Sequence, residues 1–120
     1  QPLHAGNGTD RGGNDVKVTY MGQPTNLHAV WDSGLIDSEN LSYTEWANWL
    51  EEKITKADRK AWSSVDPIVW AEESAAIRDK IYPGSANLGF QYRFDNIATV
   101  RRRLSQAGVR IADYLNDMFR

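Results

Sequence analysis

The chain has 120 residues, 41% of them hydrophobic and 25% charged, a formal net charge of −2 and no cysteine. These values fit one soluble globular domain spanning 1–120. They exclude disulfides, thiolate metal ligands and a broadly basic surface that holds nucleic acid by counterion release, and no apolar run approaches the ~20 residues that cross a bilayer.

In chain order, residues 5–14 contain four glycines and two asparagines, a composition that predicts a loop with left-handed backbone. Val16-Lys17-Val18-Thr19-Tyr20 alternates apolar and polar residues and predicts a short strand, ended by Gly22-Gln23-Pro24. Thr25 or Asn26 is placed to cap a helix that carries His28 and Asp32 and stops at Ser33-Gly34. Tyr43, Trp46, Trp49, Leu50 and Ile54 recur at helical spacing, so a helix over about 43–55 should bury its aromatic stripe. Asp66-Pro67 reads as a helix start, with Trp70, Ala71, Ser74, Ile77 and Ile81 on the buried face up to Tyr82-Pro83-Gly84. The last helix repeats Ile97, Val100, Leu104, Ala107 or Gly108, Ile111 and Leu115 towards the C-terminus, with Gly108 allowing close helix contact. The expected fold is mainly α, with a short β-hairpin or extended segment near residues 15–24.

His4 and His28 are the two histidines of the chain. On a helix, His28 and Asp32 stand one turn apart with Cβ atoms about 5–6 Å from each other, close enough to share an ion. Such a pair by itself is more often an incidental surface contact. Two imidazoles with one carboxylate nevertheless make the ligand set of an open zinc site, and in a chain of negative net charge a bound cation is what would attract a phosphate ester. Within Asp10-Arg11-Gly12-Gly13-Asn14, Gly13 and Asn14 are candidates for lining a substrate cleft, and a tight turn feeding the strand is an equal reading. Asp10 is a candidate acceptor that orients His4. Arg101-Arg102-Arg103 point in three directions on a helix and read as a solvated face. Trp31 reads as core.

Gln1-Pro2-Leu3-His4, then Asp10-Arg11-Gly12-Gly13-Asn14, then Asn26-Leu27-His28-Ala29-Val30-Trp31-Asp32 resemble, in order and spacing, the S1/P1 nuclease family, relatives of zinc-dependent phospholipase C. The stretch 106–112 with Leu115-Asn116 looks like that family's C-terminal helix. The resemblance implies a mainly helical, secreted or periplasmic enzyme with three zinc ions. It cleaves phosphodiester bonds of single-stranded DNA and RNA, and many members remove 3′-phosphates from nucleotides. By match to the motif, His4, His28 and Asp32 form the complete protein ligand set of one zinc. The ligands of the other two zincs, including those that generate the attacking water, have no counterpart here, so the chain is expected to be the C-terminal portion of such a domain, lacking its N-terminal half. The alternatives are a noncatalytic single-zinc helical module, a fragment that needs a partner half or self-associates, and a zinc phospholipase C, whose branch tends to carry Glu where this chain has Asp32.

Overall fold

The structure is a computed structural model that describes residues 1–120. A 3-10 turn at Pro2–Ala5 begins the chain, with Pro2 and Leu3 buried. After the glycine loop, β1 (Lys17–Tyr20) and β2 (Gln23–Asn26) form an antiparallel hairpin with Tyr20 opposite Gln23. The two turn residues, Met21 and Gly22, have φ of 49° and 81°, the doubly left-handed geometry that matches the twist of two strands. Pro24 lies on edge strand β2, where a missing N–H costs no ladder bond. On the other side of β1 lies β3 (Asn87–Leu88), parallel to it, giving the order β2-β1-β3. Two residues carry no periodicity, and β3 is absent from the sequence reading for that reason.

The hairpin runs directly into helix. Asn26 Oδ1 accepts from Ala29 N at 2.9 Å and caps α1 (Leu27–Ala29), so Asn26, rather than Thr25, is the cap. The helix then widens into a π segment, Val30–Gly34, and continues as α2 (Leu35–Asp37). The expected stop at Ser33-Gly34 does not occur. Gly34 is helical, and a Cβ there would lie 3.2 Å from Tyr20 Cδ1, so the glycine makes room for a ring instead of ending the helix.

Ser42 and Glu45 form a capping box at the start of α3 (Tyr43–Glu51). The helix expected to reach residue 55 ends four residues earlier, because Thr55 caps a separate helix, α4 (Lys56–Ala61), through its own box with Asp58. Asp66 caps α5 (Pro67–Arg78), with Pro67 in the first turn, as the sequence predicts. Of the aromatic stripe, Trp46 is buried and Tyr43 is exposed. Ala71 on α5 is likewise exposed.

The core joins Leu3, Leu27, Val30, Trp31 and Leu35 to Val18, Leu88, Ile81 and Val100. It therefore sits where the 3-10 turn, the sheet, the helix 27–37 and the first half of α6 (Phe90–Met118) meet. Trp31 Nε1 donates to Tyr92 Oη at 2.9 Å, which donates in turn to Ile81 O at 2.6 Å. Burial pushes the Tyr92 phenol up to about 12, so it stays a donor. The second half of α6 departs from the expected stripe. Ser105, Gln106, Val109 and Arg110 are buried, while Ala107, Gly108, Ile111 and Leu115 face outward and nothing approaches Gly108. The arginine run points in three directions but is not solvated throughout. Arg101 stacks over the Trp49 ring at 4.2 Å, and Arg103 is bound to Glu73, Gln106, Ser74 and Trp70 O.

Candidate metal centre

Two buried leucines place the two histidines. Leu3 and Leu27 are fully buried neighbours of His4 and His28, so the 3-10 turn and the first turn of α1 are anchored in one core while their imidazoles face its edge. Asp32 follows inside the π segment, where Leu35 N–H donates five residues back to Val30 O. His28 Nε2 lies 3.0 Å from Asp32 Oδ2 and His4 Nε2 lies 3.6 Å from Asp32 Oδ1, with the two imidazole centroids 5.2 Å apart. Gln1 braces this cluster. Its side-chain amide donates to Asp32 Oδ1 at 3.1 Å, and its Oε1 accepts from Leu3 N at 2.6 Å.

His28 Nδ1 is 2.7 Å from Gly12 O. A carbonyl only accepts, so Nδ1 carries a proton, and Nε2 is the ring nitrogen that faces Asp32 and His4 and would serve as the metal ligand. One ligand atom from each of the three residues lies within 4.8 Å of the other two. Zinc bonds of 2.0–2.2 Å in a tetrahedron put ligands about 3.4 Å apart; the two imidazoles approach different oxygens of Asp32, at 3.0 and 3.6 Å, within a cluster no wider than 4.8 Å. The donor set, its tautomer and its spacing fit a zinc ion with a further position open. The site is also reachable, since the His4 side chain is 62% exposed and that of Asp32 47%.

The glycine loop is pressed against this cluster. Arg11, Gly12 and Gly13 have φ of 52°, 65° and 82°. A Cβ on Gly12 would lie 2.8 Å from Leu3 O, and one on Gly13 would lie 2.9 Å from Leu3 Cδ1. Both positions thus exclude a side chain for conformational and steric reasons. Gly13 is buried, with its carbonyl accepting from Val16 N and His28 N. Asn14 is half-buried and donates its amide to Arg11 O at 2.9 Å.

Asp10 does not orient His4. Its carboxylate accepts instead from Gly13 N at 2.9 Å and from the Tyr82 hydroxyl at 2.5 Å. The Tyr82 hydrogen bond holds the Asp10 carboxyl below the usual carboxylate range, and burial with Asp10 beside it pushes the Tyr82 phenol up to about 12. Tyr82 is the residue that sequence reasoning missed. It lies 72 positions from Asp10, beyond the reach of any local pattern. Beside Asp32 opens a cleft of about 230 Å³ lined by Gln1, Trp31, Val100 and Arg103 among others.

The sequence profile of the S1/P1 nucleases matches residues 1–120. The chain belongs to the S1/P1 nuclease family. Endonuclease 3 of Arabidopsis thaliana is 34% identical over 99% of this chain and 47% of its own length. Nuclease S1 of Aspergillus oryzae is 29% identical over 97% of the chain and 48% of its own length. For nuclease P1 of Penicillium citrinum the identity is 30%, over 98% and 52%. As an S1/P1 nuclease family chain it therefore spans about half the length of the curated relatives it matches. Its mainly helical architecture with a small sheet is consistent with the family's fold, and no helix is long and apolar enough to cross a membrane.

Proposed function

We propose that this chain supplies one complete zinc site, His4, His28 and Asp32, to a zinc-dependent nuclease that hydrolyses phosphodiester bonds of single-stranded DNA and RNA, with 3′-nucleotides as further substrates. The observation that carries the reading is the convergence of the three ligand atoms within 4.8 Å in a chain whose relatives are named nucleases and endonucleases. A zinc ion held there supplies Lewis-acid stabilisation of charge on phosphoryl oxygens. The chain's own residues do the holding. Gly12 O keeps the His28 proton on Nδ1, and Gln1 steadies Asp32. Gly13, by lacking a side chain, seats the loop so that Asn14 stands at its edge with Oδ1 unpaired, free to accept from a base or sugar. In the whole enzyme three zincs are expected, in a secreted or periplasmic protein. The chain is the C-terminal portion of the domain. The remaining length of the relatives is what would complete the domain against it, and residues 1–120 by themselves would self-associate.

Metal analysis with a competing chelator tests the site. One zinc per chain is expected, lost in His28→Ala with little change in fold. A chain that takes up no zinc would sink the reading. Residues 1–120 alone are expected to hydrolyse single-stranded DNA very poorly, and zinc-dependent activity at the level of an intact relative would show that the nucleophile does not depend on further ligands.

A further inference from the structure

The peptide unit joining Gly12 to Gly13 is hydrogen-bonded at both ends. Its N–H donates to Asp10 Oδ1 at 2.9 Å, and its C=O accepts from His28 Nδ1 at 2.7 Å. The other Asp10 oxygen accepts from the Tyr82 hydroxyl at 2.5 Å, and the Asn7 amide donates to that same hydroxyl oxygen at 3.2 Å. A carboxylate thus stands in line with a candidate metal ligand, with one amide between them.

We propose that Asp10 is a positioning residue for His28, acting through the Gly12–Gly13 peptide, with Tyr82 holding Asp10 in place. The inference rests on His28 being a zinc ligand. Metal-binding histidines usually give their second ring N–H to a carboxylate or to a backbone carbonyl. Here the two acceptors are arranged in series. Hydrogen bonds to a charged group are roughly twice as strong as neutral ones. Bonds in a chain polarise one another by about 10–30% each, so a negative charge on the N–H side makes the carbonyl a better acceptor for the ring.

The arrangement also solves a mechanical problem. Residues 11–13 are all left-handed and belong to no helix or sheet ladder, so something else must fix the direction of the Gly12 carbonyl. Leu3 O, 2.8 Å from where a Gly12 Cβ would lie, blocks one side. Asp10 ties the other end of the peptide to the segment after α5. The last residue of α5, Arg78, also holds the loop by donating to Gly6 O. The metal site is in this way coupled to Tyr82, a residue that touches none of the ligands.

Asp10→Asn keeps an acceptor of the same shape for Gly13 N–H and removes the charge, Asp10→Ala removes both, and Tyr82→Phe removes the hydroxyl. Zinc dissociation constants by chelator competition should weaken about tenfold in Asp10→Asn and towards 100-fold in Asp10→Ala, with a smaller loss in Tyr82→Phe. A second measurement needs no zinc: nitrogen-15 NMR of the imidazoles in metal-free protein. The wild type should show His28 protonated at Nδ1 with a downfield, slowly exchanging proton. Asp10→Asn should move that proton upfield and speed its exchange, leaving the His4 signals unchanged and lowering the thermal midpoint only slightly. Zinc binding by the wild type together with an unmoved His28 proton and unchanged affinity in Asp10→Asn and Tyr82→Phe would overturn the relay. If the wild type binds no zinc while the His28 proton responds to Asp10→Asn, the relay stands and the zinc-site reading falls. Should Asp10→Ala fail to fold, the other two variants decide.

Discussion

At the scale of single residues, the best-paired charge is Glu73, which is none of the candidate metal ligands. Glu73 Oε2 accepts from Arg103 and Arg110 at 2.7 Å each, and Oε1 accepts from Arg110 at 2.8 Å, with both arginine side chains largely buried. The Arg110 hydrogen bonds, opposed by burial and joined by those of Arg103, bring the Glu73 carboxyl down to about 2. Glu73→Ala should destabilise the chain by about 3–5 kcal/mol in urea unfolding, because two buried guanidinium groups lose their counter-charge. The sign of the pH effect follows from the depressed value: stability from Glu73 is complete above its ordinary range near 4.5 and is lost as pH falls towards 2. Unfolding curves between pH 6 and 3 should therefore show the wild type losing more stability than Glu73→Gln. The candidate metal ligands were legible in the sequence through the match of His4, His28 and Asp32 to a family motif, and the fold brings the three together. Arg103 and Tyr82 were not, because their partners lie 30 and 72 positions away and no local signal encodes such a pairing.

At the scale of elements, the segment from Asn26 to Asp37 decides whether the site exists. Its start is local chemistry, an amide accepting an orphan N–H of the first turn, and was readable for that reason. Asn26→Ala should cost about 1 kcal/mol in thermal or chemical unfolding. It should also weaken zinc binding, since the frayed turn carries His28. The π widening was not readable. It arises in a segment that packs Val30, Trp31 and Leu35 into one core while Gly34 accommodates the Tyr20 ring, a compromise between neighbours that no residue announces alone. Gly34→Ala is expected to displace Tyr20 and its 2.6 Å hydrogen bond to Ser38, seen as a lowered thermal midpoint and a changed tyrosine signal in near-ultraviolet circular dichroism. The helix at 56–61 was overlooked because helical spacing upstream ran on to Ile54, while the decisive signal was the Thr55-to-Asp58 box.

At the scale of the whole molecule, the chain exposes more surface than its size requires. Its accessible area is 7737 Å², against roughly 6,600 Å² for a folded monomer of this mass. The excess exceeds the ~800 Å² that each partner contributes to a standard interface. Apolar side chains contribute to it: α3 and the second half of α6 border a groove of about 630 Å³ lined by Trp46, Leu50, Ile54, Leu104, Val109 and Ala112, and Ile111 and Leu115 on α6 and Phe119 just past its end are exposed. Light scattering on residues 1–120 should show concentration-dependent association, reduced to monomer by Ile111→Asp with Leu115→Asp; a wild type that stays monomeric across the range would remove the case for association through this face. By itself the sequence determined the family, the mainly helical class, the helix starts at residues 43 and 67 and the three metal-ligand candidates, because caps, periodicity and motif spacing are short-range properties. Tertiary structure alone decided which faces of α6 are covered, that Gly34 admits a ring instead of ending a helix, and that the Gly12–Gly13 peptide is hydrogen-bonded to Asp10 on one side and His28 on the other. Those outcomes depend on contacts between distant segments, and such contacts exist only after the core around Leu3 and Leu27 has closed.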